Sequence, residues 1–561
     1  MSARISKYSA FIFLFLSLLF ISSINKENYK TGSYNSTLFV DPAGYNVYLP
    51  ATFQYGFEKS FPDYIDHVVA YGFTLGENKK VVTKFTYGVA LLQSPFYIAG
   101  LAVCKLLGVP NTGYSPVNHL IVDIAGIFYA CLGLFFLVKL LLHFYPLKLS
   151  IIAAFAVFIG TNTFYYASVQ PGMSHIYSSF LIIVALYSIH KYAMQQRFKH
   201  FLLLSFCFLL IVLIRPINVL YVLVIIGFNI YSYNDLKTRI RILFTVKNII
   251  TVILIAVIVF TPQLLYWKFA YGNFFADSYK GESFSYLTQP KLTEFLFSPH
   301  NGLLVYSPLY LVLFLITLFV FRRKNIMYAS VLFIIIFVTY LSASWHVFYF
   351  GCGFGARNFV ELSCLLSFPL AEFFFTHKNR MVKALLVVLI MGCVFCNLKL
   401  MYSWDTCFLG KDDWDWREYR CMLYQKPLTL IHNLNEVNPN KIRVVEGEQT
   451  YKIDSLELYS SGIHFIPNNL TKGYFKRATI SLELKVISET SNAQLVCMGV
   501  QNDSTVFFNS TSLNLTKNSW QHVEFKSNLQ YSNTNDYLIK VFIMNDKKEE
   551  YYFKNLKVQL Q

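Results

Sequence analysis

The sequence predicts an α-helical polytopic membrane protein with a C-terminal antiparallel β-sandwich domain. Hydrophobic residues make up 55% of the 561 residues, charged residues only 14%, and the mean hydropathy is +0.44. Up to about Ser403 the charges fall in short clusters between apolar runs, whereas from about Trp404 they are scattered through a polar sequence. In that polar part, apolar and polar residues alternate in short runs, a pattern typical of strands with one buried face.

The apolar runs predict about eleven membrane crossings, because a helix needs about 20 apolar residues to span the hydrocarbon of a bilayer. The predicted spans are 9–23, 117–143, 148–167, 175–194, 199–214, 216–232, 246–267, 302–321, 325–345, 358–376 and 382–402. A further run, 89–108, is interrupted by Gln93, Pro95, Gly100 and Lys105. We expect this run to form an interfacial or re-entrant helix on the outer face.

Basic clusters between the runs set the expected orientation. The positive-inside rule places these clusters in the cytoplasm, so the loops 24–88, 168–174, 268–301 and 346–357 lie outside together with the C-terminal domain. The formal net charge of +17 comes largely from such flanking residues and does not indicate nucleic acid binding. A signal peptide is the alternative for the first span, but no small-residue cleavage site follows it, and we expect an uncleaved anchor.

The outer loops hold nearly all of the side chains suited to chemistry. Asp41 stands about 18 residues beyond the first span, Lys84 lies further along the same loop, and Arg215 and Arg357 stand at span ends. Arginine and lysine bind phosphate oxygens, and a carboxylate accepts a proton from a hydroxyl or an amine. This set predicts a site for an anionic lipid headgroup. The further pocket residues that we predict are Tyr45, His175, Tyr279, Glu282 and His346.

Each of these residues also has a purely structural interpretation. Asp41 precedes a proline and suits a turn, whereas His175 and His346 suit the ends of spans. Tyr279 suits the membrane interface, where aromatic residues are frequent. The two arginines are long enough to reach lipid headgroups from a span end.

The chain resembles the GT-C superfamily of glycosyltransferases, and most of all protein O-mannosyltransferases and lipid A aminoarabinose transferases. The resemblance covers about 1–405 and rests on the order of elements and on two short motifs, VDPAGYNVYLPA with Asp41 and KFTYGVALLQSPFY with Lys84. The segments PGMSHIY, SPHNGLLVYSPLY and GFGARNFVEL also resemble stretches of bacterial proteins placed in this superfamily. It implies a polyprenyl-phosphate sugar as donor, a protein, lipid or glycan as acceptor, and transfer at the outer face of a bacterial inner membrane. It also implies that Asp41 is the general base and that Lys84, Arg357 and Arg215 bind the donor phosphate.

Two features depart from that superfamily. No DxD or paired acid stands around Asp41, so a metal site like that of oligosaccharyltransferases is not predicted, and we expect no cofactor. The second outer loop carries His175 where many members have an acid. The stretch KDDWDWREY (411–419) is similar to the Trp-Asp motif of oligosaccharyltransferases only in part, and we assign it to a linker.

The predicted domains are a transmembrane domain at 1–405, in which 24–116 forms the first outer loop with juxtamembrane helices, a linker at 406–443, and a jelly-roll-like β-sandwich at 444–561. Period-two runs such as ATISLELKVI and DYLIKVFIMN, separated by polar turns, predict the sandwich. Binding of a glycan and a structural cap are both open roles for it. Cys407 and Cys421 would form a disulfide if their side of the membrane is oxidising.

Two other functions stay open at the level of sequence. A transporter or flippase of a lipid-linked glycan would show paired repeats and broken helices at the bilayer midplane, and we find no internal repeat. A non-catalytic membrane scaffold with a glycan-binding β-domain would not need Asp, Lys and Arg gathered on one face.

Overall fold

The computed structural model describes residues 2–24, 36–63, 65, 72–279, 281–322, 326–351, 353–407, 416, 419, 420, 423, 428–434, 438–454, 457–466, 477–487, 493–501, 504–513, 516–529, 537–545 and 549–560. The chain forms two compact units, one made of 1–350 with 354–398 and the other of 351–353 with 399–561. The first unit is mainly helical, and the second contains the two larger β-sheets.

The α-helices are apolar over most of the first unit, as the sequence predicts. Their bounds are Ser2–Ile24, Asp41–Asn46, Tyr48–Pro50, Gly88–Leu107, Pro116–Leu141, Leu147–Gly160, Thr163–Ser168, Ser174–Gln195, Phe198–Ile214, Tyr221–Gly227, Tyr233–Leu243, Val246–Tyr271, Leu292–Phe297, Leu303–Tyr306, Leu309–Phe321, Ile326–Ser344, Val360–Ser363, Ser367–Thr376 and Arg380–Cys407. Within the described residues, seven helical segments are long and apolar enough to cross a membrane, and shorter apolar helices accompany them. The protein is therefore an integral membrane protein with a helical bundle.

Several predicted spans are interrupted rather than continuous. The run 148–167 divides at Thr161 into two helices, and the run 302–321 divides at Ser307, before Pro308. The run 216–232 opens at Pro216 with a turn of 3-10 helix. A proline lacks the N–H that continues a helix, and it disfavours helical geometry in the residue before it, which explains the breaks at the two prolines.

The side-chain amide of Asn397 satisfies backbone carbonyls at the first of these breaks and bonds to a side chain at the second. Asn397 is buried and donates to the carbonyls of Ile159 and Thr161 at 3.0 and 3.1 Å. Its own Oδ1 accepts from Ser307 Oγ at 3.0 Å. Backbone groups that lack partners are unfavourable in hydrocarbon, so the asparagine stabilises the break at Thr161. Its bond to the Ser307 hydroxyl links this break to the one at Ser307.

The helix Gly88–Leu107 occupies the run for which the sequence predicts no crossing. It is long and apolar enough to cross a membrane by length and composition. It begins at Gly88, where a Cβ would touch Ile214, and it runs back along the first half of Pro116–Leu141, where a Cβ at Gly100 would meet Ile121. The interfacial or re-entrant position on the outer face stays a prediction.

The C-terminal unit contains two antiparallel sheets. The strands with their bounds are β3 Leu428–Ile431, β4 Ile442–Val445, β5 Glu448–Ile453, β6 Ile463–Phe465, β7 Arg477–Val486, β8 Gln494–Gln501, β9 Ser504–Ser512, β10 Trp520–Asn528, β11 Leu538–Met544 and β12 Tyr551–Leu560, following a small hairpin β1 Thr74–Leu75 and β2 Val81–Val82 in the helical unit. One sheet has the order β10-β7-β12-β5-β4, with β3 also paired to β12, and the other has the order β6-β11-β8-β9. Buried positions alternate strictly along β7, and they contribute to one hydrophobic core.

The predicted start of the sandwich at residue 444 is too late. Strand β3 lies in the predicted linker 406–443 and pairs with β12, and β4 begins two residues before the predicted boundary. A strand of four residues has too few alternating apolar and polar positions to be recognised from the sequence. The predicted pairing of Cys407 with Cys421 lies outside the described residues.

Candidate active site

The site lies at the end of the bundle where the helix Ser174–Gln195 begins and the helix Phe198–Ile214 ends. Asp41 opens the short helix Asp41–Asn46, where Pro42 is compatible with the first turn and an acidic residue is favoured by the helix dipole. Arg357 approaches from the start of the segment that leads into Val360–Ser363, and its Nη1 lies 3.0 Å from Asp41 Oδ2. Both side chains are partly accessible, at 14% for Asp41 and 23% for Arg357. The predicted base and a predicted phosphate ligand therefore form an ion pair that an incoming anion can reach.

A second, deeper ion pair has Glu361 at its centre. Glu361 is only 1% exposed, and its Oε1 accepts a hydrogen bond from Arg215 Nη1 at 2.9 Å. Its two oxygens also lie 3.0 and 3.1 Å from His175 Nδ1. Glu361 follows Arg357 by four residues, which places both side chains on one face of a helical segment. Because an isolated buried charge is strongly unfavourable, Arg215 and Glu361 stabilise each other at this depth.

The Arg215 guanidinium has a fixed orientation. Its Nη2 donates to Asn358 Oδ1 at 3.0 Å, and Asn358 in turn donates to Ser342 Oγ at 3.1 Å. Its Nη1 lies 2.6 Å from His175 Nδ1. An arginine N–H is only a donor, so Nδ1 accepts towards Arg215, whereas a protonated Nδ1 donates towards Glu361. His175 therefore has two alternative hydrogen-bonding states beside the buried carboxylate.

Lys84 forms the third charged contact, with Glu282 of the loop that follows Val246–Tyr271. Lys84 Nζ lies 2.5 Å from Glu282 Oε1, and both side chains are about one third exposed, at 32% and 30%. The ammonium also lies 5.4 and 5.3 Å from the ring centroids of Phe85 and Tyr279. Such distances suit cation–π attraction, so the cation is bordered by a carboxylate and two aromatic rings.

Two tyrosines join these charged groups into one cluster. The Tyr45 ring lies 4.3 Å from that of Phe85, and its hydroxyl accepts from Ser174 Oγ at 3.2 Å. Burial, and then the charge of Asp41, raise the pKa of Tyr45. Burial of its hydroxyl, and then the charge of Asp41, raise the pKa of Tyr279 to about 12. Both phenols are thus neutral at physiological pH and available as hydrogen-bond donors.

The structure brings eight of the nine predicted site residues into this cluster. His346 lies beside it: its backbone N–H donates to Ser283 O at 3.1 Å, and its ring lies 5.0 Å from that of Trp345. Its predicted part in the substrate pocket stays a prediction, as do the chemical roles of the other eight residues.

Sequence reasoning assigned no role to Glu361, Asn358 or Phe85. Glu361 has a recognisable signal, because it is an acid in the otherwise apolar run NFVELSCLL, where a charge is costly without a partner. Phe85 follows Lys84 directly and has no signal of its own. Among the described residues, no three His, Cys, Asp or Glu side chains gather as a potential metal site. The prediction of a metal-independent reaction stays untested.

Two solved structures are similar to this chain at low scores. The oligosaccharyltransferase of Archaeoglobus fulgidus matches with a TM-score of 0.38 and 15% identity, over 68% of this chain and 55% of that protein. The arabinosyltransferase EmbB of Mycobacterium smegmatis matches with a TM-score of 0.31 and 10% identity, over 98% of this chain and 64% of that protein. Both are members of the GT-C superfamily. The chain spans less than two thirds of either protein, and likenesses of this size do not decide its function.

No family model matches the chain. No curated protein matches it either.

Proposed function

We propose that the protein is a membrane glycosyltransferase that moves a sugar from a polyprenyl-phosphate donor to a hydroxyl or amine of an acceptor. The observation that carries the proposal is the convergence of Asp41, Arg357, Lys84 and the Arg215–Glu361 pair at one end of an apolar helical bundle. A lipid-linked phosphate needs cations at the edge of the membrane, and an acceptor needs a carboxylate beside them. Both are present within one cluster.

In the proposed reaction, the acceptor hydroxyl or amine attacks the anomeric carbon of the sugar. The bond from that carbon to the phosphate oxygen breaks, and the polyprenyl phosphate leaves with the electron pair. The acceptor proton passes to a carboxylate oxygen of Asp41. Arg357 and Lys84 stabilise the charge that develops on the leaving phosphate, as fixed cations in a partly desolvated site do.

The two ion pairs at the surface indicate how the donor would enter. Arg357 and Lys84 both hold carboxylates, of Asp41 and Glu282, at the positions where phosphate oxygens would bind. A donor phosphate that binds Arg357 would break its ion pair with Asp41. The Asp41 carboxylate would then be available to accept a proton from the acceptor. Arg215 is anchored by Glu361, Asn358 and His175, so its proposed part is to add positive potential and to orient its neighbours.

The test uses the purified full-length chain in liposomes with labelled polyprenyl-phosphate sugars and a panel of hydroxyl and amine acceptors. The Asp41→Asn variant should lose at least about 100-fold in transfer, because it cannot accept the proton. Asp63→Asn is the matched control, since Asp63 is 69% exposed and pairs with Lys79 on the same loop. It should transfer at the wild-type rate.

Two results would overturn the proposal. Asp41→Asn could retain wild-type transfer, which would remove the base. Alternatively, the wild-type chain could move a lipid-linked glycan from one leaflet to the other without cleaving the phosphate–sugar bond, which would identify a flippase.

A further inference from the structure

Asp41 follows a residue with a strained backbone. Val40 has φ 51° and ψ −118°, and a β-branched residue rarely adopts a positive φ. Its side chain is 39% exposed, so its own burial does not explain the conformation. Such strain persists where the surrounding structure fixes the chain on both sides, and it is frequent at functional sites.

Two buried side chains fix the chain before Val40. Thr37 Oγ1 donates to Asp123 Oδ1 at 2.9 Å, and the backbone N–H of Leu38 donates to His119 Nδ1 at 3.1 Å. His119 and Asp123 stand four residues apart on Pro116–Leu141, so they face the same way from one helix. Both are fully buried.

Other contacts fix the chain after Val40. Thr83 Oγ1 donates to Gly44 O at 3.0 Å. Gly172 lies so close to Pro42 that an added Cβ would come 3.0 Å from the Pro42 Cβ. The short helix that begins at Asp41 is therefore held from one side while residues 37 and 38 are held from the other. Val40 joins these two held segments.

We infer that His119 and Asp123 are positioning residues for Asp41, acting through Val40. They hold residues 37 and 38 at the depth that keeps Val40 in its strained conformation and the Asp41 carboxylate against Arg357. The inference rests on the proposed function, in which Asp41 is the base. It also gives a role to a buried carboxylate in a mostly apolar helix, where a charge is costly unless it serves a function.

The first test is kinetic. Asp123→Ala and His119→Ala should lower kcat by about 10- to 100-fold, because a small displacement of a reacting group has effects of that size. The KM for the polyprenyl-phosphate donor should change much less, since the bonds described above join Asp123 and His119 to Thr37 and Leu38 and not to the cations. Cys131→Ala is the control, as Cys131 is equally buried on the same helix but two turns further along. It should leave kcat unchanged. If Asp123→Ala does not fold, Thr37→Val, which keeps the side-chain size and removes the hydroxyl that donates to Asp123, should lower kcat in the same way.

The second test uses the strain itself. Glycine adopts a positive φ without steric penalty, so Val40→Gly should restore part of the kcat that Asp123→Ala loses. Val40→Ala retains a Cβ and should restore none. If the double variant Val40→Gly/Asp123→Ala loses as much kcat as the product of the two separate losses, Val40 does not link Asp123 to Asp41 and the inference is wrong.

Hydrogen exchange separates this inference from the proposed function. The amides of 37–46 should exchange faster in Asp123→Ala and His119→Ala than in the wild type or in Cys131→Ala. Unchanged exchange overturns the inference whatever the activity. If exchange rises but kcat does not fall, the two residues hold the segment without positioning the base, and the inference is again overturned. Absence of any transfer by the wild type would overturn the proposed function alone.

Discussion

Replacing Glu361 by glutamine should destabilise the helical unit markedly. Glutamine has nearly the same size, so the change removes the negative charge and leaves the Arg215 guanidinium without its carboxylate. Removing one partner of a buried ion pair typically costs about 3–5 kcal/mol. We expect the lower end, about 3 kcal/mol, because Arg215 is 23% exposed and keeps its bond to Asn358. That is a change of about 100-fold in the ratio of folded to unfolded protein.

The assay is thermal unfolding of the purified protein in detergent, with the variants Glu361→Gln, Arg215→Met and the double variant. Because the two groups are in direct contact, their effects should not add, and the double variant should be more stable than the sum of the single losses by about 1–3 kcal/mol. Glu294→Gln provides a matched control at an exposed helical position, where the same substitution should change stability by about 0.5 kcal/mol or less. A Glu361→Gln protein as stable as the wild type, or additive effects, would refute the assignment of a buried, mutually compensating pair.

Two further predictions concern the binding of the donor and the position of Asp41. Glu282→Gln should lower the KM for the donor by about two- to fivefold, since it frees Lys84 from an ion pair that is about one third exposed and worth about 0.5–1 kcal/mol, and steady-state kinetics that show a higher KM would contradict this. Gly44→Ala should reduce transfer by at least about 10-fold, because the new Cβ would come 2.2 Å from Gly72 O and push the Asp41 helix away. Gly392→Ala, where a Cβ meets nothing within 4 Å, should be neutral in the same transfer assay.

The helical bundle was predictable because its signal is local. The apolar residues of each run predict that the run lies in the membrane. The basic clusters predict which ends of the runs lie on the same side of it. The breaks at Thr161 and Ser307 were not predictable in the same way, because Asn397, which supplies bonds at both, is more than 200 residues away from Thr161 along the chain. The hydropathy of a run does not show where the side-chain amide of a distant residue will bond to backbone carbonyls at which the helix is interrupted.

The same distinction applies to the site. The presence of Asp41, Lys84 and Arg357 on one face followed from topology, but their pairing did not. Lys84 and Glu282 are 198 residues apart, and His175 and Glu361 are 186 residues apart. Sequence spacing sets neighbours only within a helix or a hairpin. Which carboxylate meets which cation is therefore decided by tertiary packing, and Glu361 was given no role for that reason.

The position of β12 in the β-unit has a consequence for biogenesis. This strand, Tyr551–Leu560, pairs with β3, β5 and β7, all of which precede it in the chain. Until it has been synthesised, those three strands lack the partner that joins them into one sheet, and their edges are open to other chains. Contacts over such long sequence separations form late. The β-unit should therefore complete its fold only after residues 551–560 are available, and a nascent chain arrested before them should need protection from aggregation.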